Sequence, residues 1–266
     1  MLTSVVNSEE NFNSEEELFN FVINHLESRI LEENSPFFQH LDAPIRYGER
    51  EIEDQHLHVM GEAHGSIVPV FYTHVELVPR IRPHPQQWLF LLERLNDTDL
   101  QSVSVYPTHF YFRHLGQLMG IPLEEALTDI YDSETRKRIG QKSGVSDKDI
   151  DGLLLNQHLS SLPDEDKYLI RDVIQTKREG KKIPDYLLPR ANDIIKFFSD
   201  YLQKPLSYTL DLLLRGPAQQ LDFLEHLGKP WNEDCRERFH TVREHYAEKK
   251  DILVLVGSGH LPAFLE

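Results

Sequence analysis

The sequence is short of cysteine, of positive charge and of long apolar runs, and each shortage excludes something. One cysteine, Cys235, rules out an internal disulfide framework and any multi-cysteine metal site. Its expected role is that of a small residue packed in a helix. Lys and Arg total 28 against 44 Asp and Glu, a formal net charge of −16 over 266 residues. Nucleic acid and anionic membrane both demand a cationic footprint, so neither is expected as the main partner. No apolar run approaches the roughly 20 residues of a membrane span. Met1 to Leu18 is polar and acidic, without the basic and apolar regions of a secretory signal, and a cytoplasmic, soluble protein is expected. The serine-hydrolase elbow, the phosphate-binding loop, the dinucleotide fingerprint and the zincin helix are also missing.

What is present centres on His56 to Gly65, reading His-Leu-His-Val-Met-Gly-Glu-Ala-His-Gly. Leu57, Val59 and Met60 suit a buried strand, and Gly61 and Gly65 suit a tight turn. Glu62 and His64 then stand where that strand ends. The arrangement recurs. Trp88 to Leu92 is a second dense apolar run and stops at Glu93. Ile252 to Val256 is a third and stops at Gly257-Ser258-Gly259-His260. Val103 to Tyr106 is a weaker strand-like run, followed by Pro107-Thr108-His109. His56 and His58 alternate along the first strand and read as structural.

Between these runs the period changes. Leu18, Phe19, Phe21, Val22, Leu26 and Ile30 fall at helical spacing. Ile67, Phe71, Val75 and Val78 do so again, with Ser66 as a cap and Pro79, Pro83 and Pro85 closing the helix. From Pro122 to about Leu227 the pattern is helical throughout, with Leu123, Ala126, Leu127 and Ile130 forming one stripe and Ser146 capping a later helix. The expected layout is therefore an N-terminal helix and loop over 1–44, the first part of an α/β core over 45–121, a helical insertion or cap over 122–230, and the rest of the core over 231–266. The fold class is α/β, a mostly parallel central sheet flanked by helices, because doubly buried strands separated by helices are the signature of that class.

Parallel strands share one C-terminal edge, and ligands of open α/β sheets bind there. Glu62, His64, Glu93 and His260 are expected to meet at that edge. Two carboxylates and two imidazoles suit general acid–base chemistry, or a divalent metal site that leaves a position for water. In that site His64, Glu93 and His260 would be the metal ligands. Gly61, Gly257 and Gly259 let backbone approach a ligand or present amide donors to a developing negative charge, and His109 is a further binding candidate.

These motifs resemble those of the superfamily that holds erythromycin esterase, haem-binding ChaN and the TraB/TIKI proteins. Gly61-Glu62-Ala63-His64, the strand-end Glu93 and the late Gly257-Ser258-Gly259-His260 carry the resemblance, over roughly residues 55–115 and 231–266. The spacing Gly-Glu-x-His is nearer to ChaN and TraB than to erythromycin esterase, which has one more residue between Glu and His. The resemblance implies an arginine from the helix before the last strand, for which Arg236, Arg238 and Arg243 are candidates, Arg238 foremost. It implies a hydrolase of ester or amide bonds acting on a small molecule or peptide, with Glu62 or Glu93 activating water held by His64 and His260, metal-assisted in TIKI-like members. The ChaN branch implies the alternative, a non-enzymatic haem- or ligand-binding protein.

Overall fold

Two residues, Glu53 and Asp54, turn the chain back on itself between β1 (Arg46–Ile52) and β2 (Gln55–Glu62). Glu53 adopts a φ of 56°, the left-handed value that tight hairpin turns require. β1 therefore runs antiparallel to β2, with His58 opposite Glu49 and His56 opposite Glu51. Every other pairing among the described residues is parallel. β3 (Trp88–Arg94), β4 (Leu123–Thr128) and β5 (Asp251–Gly257) complete a mixed, mostly parallel sheet in the order β1-β2-β5-β3-β4. The computed structural model describes residues 11–30, 45–62, 66–94, 107–128, 133–202, 204–215, 227–257 and 260–265.

The sheet belongs to one of two compact units, Met1–Asp129 with Cys235–Glu266. One face packs on α1 (Glu15–Ile30) and α4 (Pro107–Met119). There Leu18, Val22, Phe110, Phe112 and Leu115 meet Met60, Phe90, Leu92, Leu253 and Leu255 in one buried cluster. Burying such side chains contributes about 1.5–3 kcal/mol each, which explains why β3 and β5 read as apolar runs and why β2 carries Leu57, Val59 and Met60. Pro107 opens α4, where a missing N–H costs nothing and the fixed φ suits the first turn. Toward the C-terminus, Phe239 of α10 (Lys229–His245) meets Phe264 of α11 (Leu261–Leu265) with ring centroids 5.5 Å apart. Cys235, the one cysteine of the chain, is buried.

Two expectations change here. The helical stripe at Leu123, Ala126 and Leu127 is strand β4, paired in parallel with β3. It is an edge strand of intermediate burial with a register shift opposite Leu91 and Glu93, so the alternation that marks a strand is blurred. Of the three prolines expected to close the helix after the first motif, Pro79 lies inside it, and the helix ends at Ile81, before Pro83. It runs as α2 (Val68–Tyr72), a π turn at Thr73–Leu77 and α3 (Val78–Ile81). Pro79 lacks an N–H and crowds the preceding turn, and a widened turn relieves that conflict. Its buried face holds Val70, Thr73, Leu77, Val78 and Ile81, while Phe71 and Val75 are exposed.

The second unit, Ile130–Asp234, contains α5 (Ser133–Ser143), α6 (Asp147–Ser161), α7 (Asp164–Arg178), α8 (Leu188–Leu202) and α9 (Leu206–Arg215). Ile139, Ile150, Leu154, Ile170, Phe198 and Leu212 are among its buried core. Ser146 caps α6, accepting from the Asp149 N–H at 3.2 Å while its hydroxyl donates to the Asp149 carboxylate at 2.6 Å. Inside the unit, the Arg136 guanidinium donates to Asp151 at 2.8 Å and to the Leu202 carbonyl at 3.2 Å. The Tyr208 hydroxyl donates to the other Asp151 oxygen at 2.8 Å. Among the described residues no helix is long and apolar enough to cross a membrane.

Candidate active site

The parallel register places the ends of β2, β5 and β3 side by side, with Glu62 opposite Gly257 on β5. Glu62 and Glu93 are both buried, at 3% and 4% exposure, although carboxylates are seldom buried without partners. Their partners come from three directions. His109 enters from the first turn of α4 and is 1% exposed. Its Nε2 lies 3.1 Å from the backbone carbonyl of Glu93. A carbonyl only accepts, so the ring donates from Nε2, and in the neutral ring Nδ1 carries the lone pair. That Nδ1 faces Glu62 Oε1 at 3.4 Å. Two acceptors then face each other, and one proton between them turns the contact into a charge-assisted hydrogen bond. Glu62 and His109 thus form a unit suited to taking up and returning a single proton.

Glu93 is held separately. Its Oε2 accepts the Gly257 N–H at 2.8 Å, and its Oε1 lies 4.0 Å from Nε2 of His260. His260 is 6% exposed and immediately precedes α11. α4 is tied to the segment leaving β2, because the Thr108 hydroxyl donates to the Ser66 carbonyl at 3.1 Å. Thr108 escaped the sequence reading. A threonine beside a helix-start histidine was the only signal for it.

Gly61 serves packing. A Cβ there would stand 2.5 Å from Leu261 Cδ1, so the missing side chain lets α11 close on β2 next to His260. Gly257 supplies the amide donor to Glu93. The three arginines separate. Arg238 donates to the Ala126 carbonyl on β4 at 3.2 Å, and Ala126 lies just before Leu127, which pairs with Glu93. Arg238 therefore reaches the height of Glu93. Arg236 donates to the Ala263 carbonyl on α11 at 3.0 Å. Arg243 pairs with Glu53 at 2.7 Å, at the β1–β2 turn and the opposite edge of the sheet, and leaves the set of candidates. His64, Gly259 and the run Val103 to Tyr106 lie outside the described residues. His74, on the π turn, is stacked on Phe19 with ring centroids 4.1 Å apart and lies 3.0 Å from the Tyr111 hydroxyl.

A divalent ion fits part of this donor set. Tetrahedral ligands about 2.0–2.1 Å from a metal stand roughly 3.3 Å apart. Glu93 Oε1 and His260 Nε2, at 4.0 Å, need only a small closure to reach that separation. The Gly257 amide on Oε2 is the kind of outer contact that orients a ligating carboxylate. Comparison of the chain with known protein families, with characterised proteins and with solved structures found no match.

Proposed function

We propose that the protein is a hydrolase of ester or amide bonds whose reaction runs at the edge formed by Glu62, Glu93, His109 and His260. The observation that carries the reading is the buried contact of His109 Nδ1 with Glu62 Oε1 at 3.4 Å, its tautomer fixed from behind by the Glu93 carbonyl. The motif order Gly-Glu-x-His, strand-end Glu, Gly-x-x-His supports kinship with the erythromycin esterase, ChaN and TraB/TIKI proteins.

In this mechanism the Glu62–His109 pair takes a proton from a water as its oxygen bonds to the carbonyl carbon of the substrate. The tetrahedral intermediate then expels the leaving oxygen or nitrogen, which receives that proton back. Arg238, bonded to β4 at the level of Glu93, would steady the oxyanion or a substrate carboxylate. Glu93 and His260 position the water, or hold a divalent ion that would lower the pKa of a bound water and polarise the carbonyl. Burial strengthens each of these interactions relative to water.

The test is hydrolysis of chromogenic acyl esters and anilides by purified protein, with Glu62→Gln compared at equal folded content by circular dichroism. Loss of general-base assistance predicts a fall in kcat of about 10²–10⁴-fold. A folded Glu62→Gln protein that retains wild-type turnover overturns the reading. A stoichiometric Soret shift on adding haemin, with no turnover of any substrate by the wild type, would replace it with ligand binding.

A further inference from the structure

The opposite edge of the same sheet carries a second cluster, which the hydrolytic reading does not use. At the hairpin between β1 and β2, cross-strand register stacks His58 against Glu49 and His56 against Glu51, and parallel pairing adds Asp251 beside His56. Side chains alternate along a strand, so these groups share one face. We propose that Glu49, His56 and His58 bind a divalent transition-metal ion of the Zn²⁺ class. Their donor atoms lie within 4.8 Å of one another.

The two histidine–carboxylate separations approach those of coordination. His56 Nε2 is 3.5 Å from Glu49 Oε2, and His58 Nδ1 is 3.5 Å from Glu49 Oε1, close to the roughly 3.3 Å expected between tetrahedral ligands. His58 is also oriented from behind. Its Nε2 lies 3.3 Å from Asp251 Oδ1, and a carboxylate only accepts, so the ring proton sits on Nε2 and the Nδ1 lone pair faces Glu49. This is the carboxylate–histidine–metal arrangement, in which the outer carboxylate fixes the tautomer and raises ligand basicity. The Tyr47 hydroxyl donates to Glu49 Oε1 at 2.7 Å and lies 2.6 Å from His58 Nδ1, so it sits between the two ligands and would be displaced by the ion.

Charge favours a cation. Glu49, Glu51 and Asp251 stand within 3.9 Å of His56, while the Arg80 guanidinium, 3.1 Å from Glu49, weighs on the other side. Two imidazole nitrogens select a borderline ion over Mg²⁺ or Ca²⁺, which prefer all-oxygen sites. His56 keeps a third of its side chain exposed, leaving a route for the ion and a position for water. Trp88 stacks on the His58 ring with centroids 4.8 Å apart, so its emission reports on that ring.

The experiment is Zn²⁺ titration against a chromophoric chelator, run on His260→Ala protein so that the strand-end site does not contribute. One equivalent is expected to bind. Adding His56→Ala or Glu49→Gln should weaken that binding at least tenfold, and Asp251→Asn about 10–100-fold through the outer contact. Ni²⁺, an open-shell ion, should quench Trp88 saturably in the His260→Ala protein and should fail to do so once His56→Ala is added. His56 is partly exposed, so its replacement leaves the core intact, and circular dichroism confirms the fold. Absence of Zn²⁺ binding in His260→Ala, or unchanged affinity in both His56→Ala and Glu49→Gln, overturns the proposal. Neither result bears on hydrolysis at the other edge.

Discussion

Gly61 links the packing of the sheet to the proposed chemistry, and Gly61→Ala measures that link. The added Cβ would lie 2.5 Å from Leu261 Cδ1 and 2.6 Å from its Cγ. Ordinary carbon contacts are about 3.5–4.0 Å, so Leu261 must move by roughly 1 Å. It is 6% exposed and has little free space to enter. Overpacking of this kind costs about 1–3 kcal/mol, against a gain of roughly 0.5–1 kcal/mol from replacing a strand glycine by alanine. The mid-range values leave a net loss of about 1 kcal/mol, and each kcal/mol lowers Tm by about 2–4 °C for a domain of 150–250 residues. Leu261→Ala removes the obstacle, so the double variant should be more stable than the two single losses add up to, by about 1 kcal/mol or more. Urea unfolding of the four proteins, followed by circular dichroism, gives the cycle. Because Leu261 follows His260 directly, Gly61→Ala should also lower turnover, and Leu261→Ala in the same chain should restore part of it. A Gly61→Ala protein as stable as wild type, or strictly additive losses, would refute the close packing of α11 on β2.

Burial among Phe12 and Phe110 holds the pKa of His114 below its usual value, with Arg113 adding to the shift. The folded protein therefore binds fewer protons than the unfolded chain as pH falls below the unfolded value of about 6.5, and stability must decline from there down to the folded pKa. His58, also lowered by burial, acts in the same direction. Unfolding midpoints between pH 7.5 and 5.5 should fall, and His114→Phe should reduce the slope by at most about 1.36 kcal/mol per pH unit; an unaltered slope would contradict the burial effect. In the helical unit, Asp151 bonds to Arg136 and Tyr208, and Asp151→Asn leaves a buried guanidinium uncompensated. A loss of about 3–5 kcal/mol is expected, read by urea unfolding, whereas a change under 1 kcal/mol would show the pair to be dispensable.

Much of the sheet was legible because parallel strands buried on both faces need apolar residues at nearly every position. β2, β3 and β5 therefore announced themselves, and the polar residues that ended them, Glu62, Glu93 and His260, marked the shared edge. β1 and β4 gave weaker signals for one reason: both lie at edges. Arg46–Ile52 is largely charged, and β4 is half-covered, so Leu123, Ala126 and Leu127 imitate a helix until β3 supplies the pairing. Val70, Leu77 and Ile81 face the core where Phe71 and Val75 were expected to, because both sets fall at helical spacing and periodicity does not choose between them. His109 was visible as a histidine after a proline. Its place between the ends of β2 and β3 depends on how α4 packs, which is tertiary information. The same holds for His56 and His58, whose alternation was plain while Asp251, nearly two hundred residues later, was not in view.

The central claim is that Glu62 and His109 handle one proton as a unit. A double-mutant cycle on kcat tests it most directly, using Glu62→Gln, His109→Asn and the combined variant on the same chromogenic ester. Residues that act as one unit are strongly non-additive. The account predicts that each single variant loses about 10²–10⁴-fold and that the combined variant loses no more than the worse of the two. Losses that multiply in the double variant, or a His109→Asn protein as active as wild type, would contradict it.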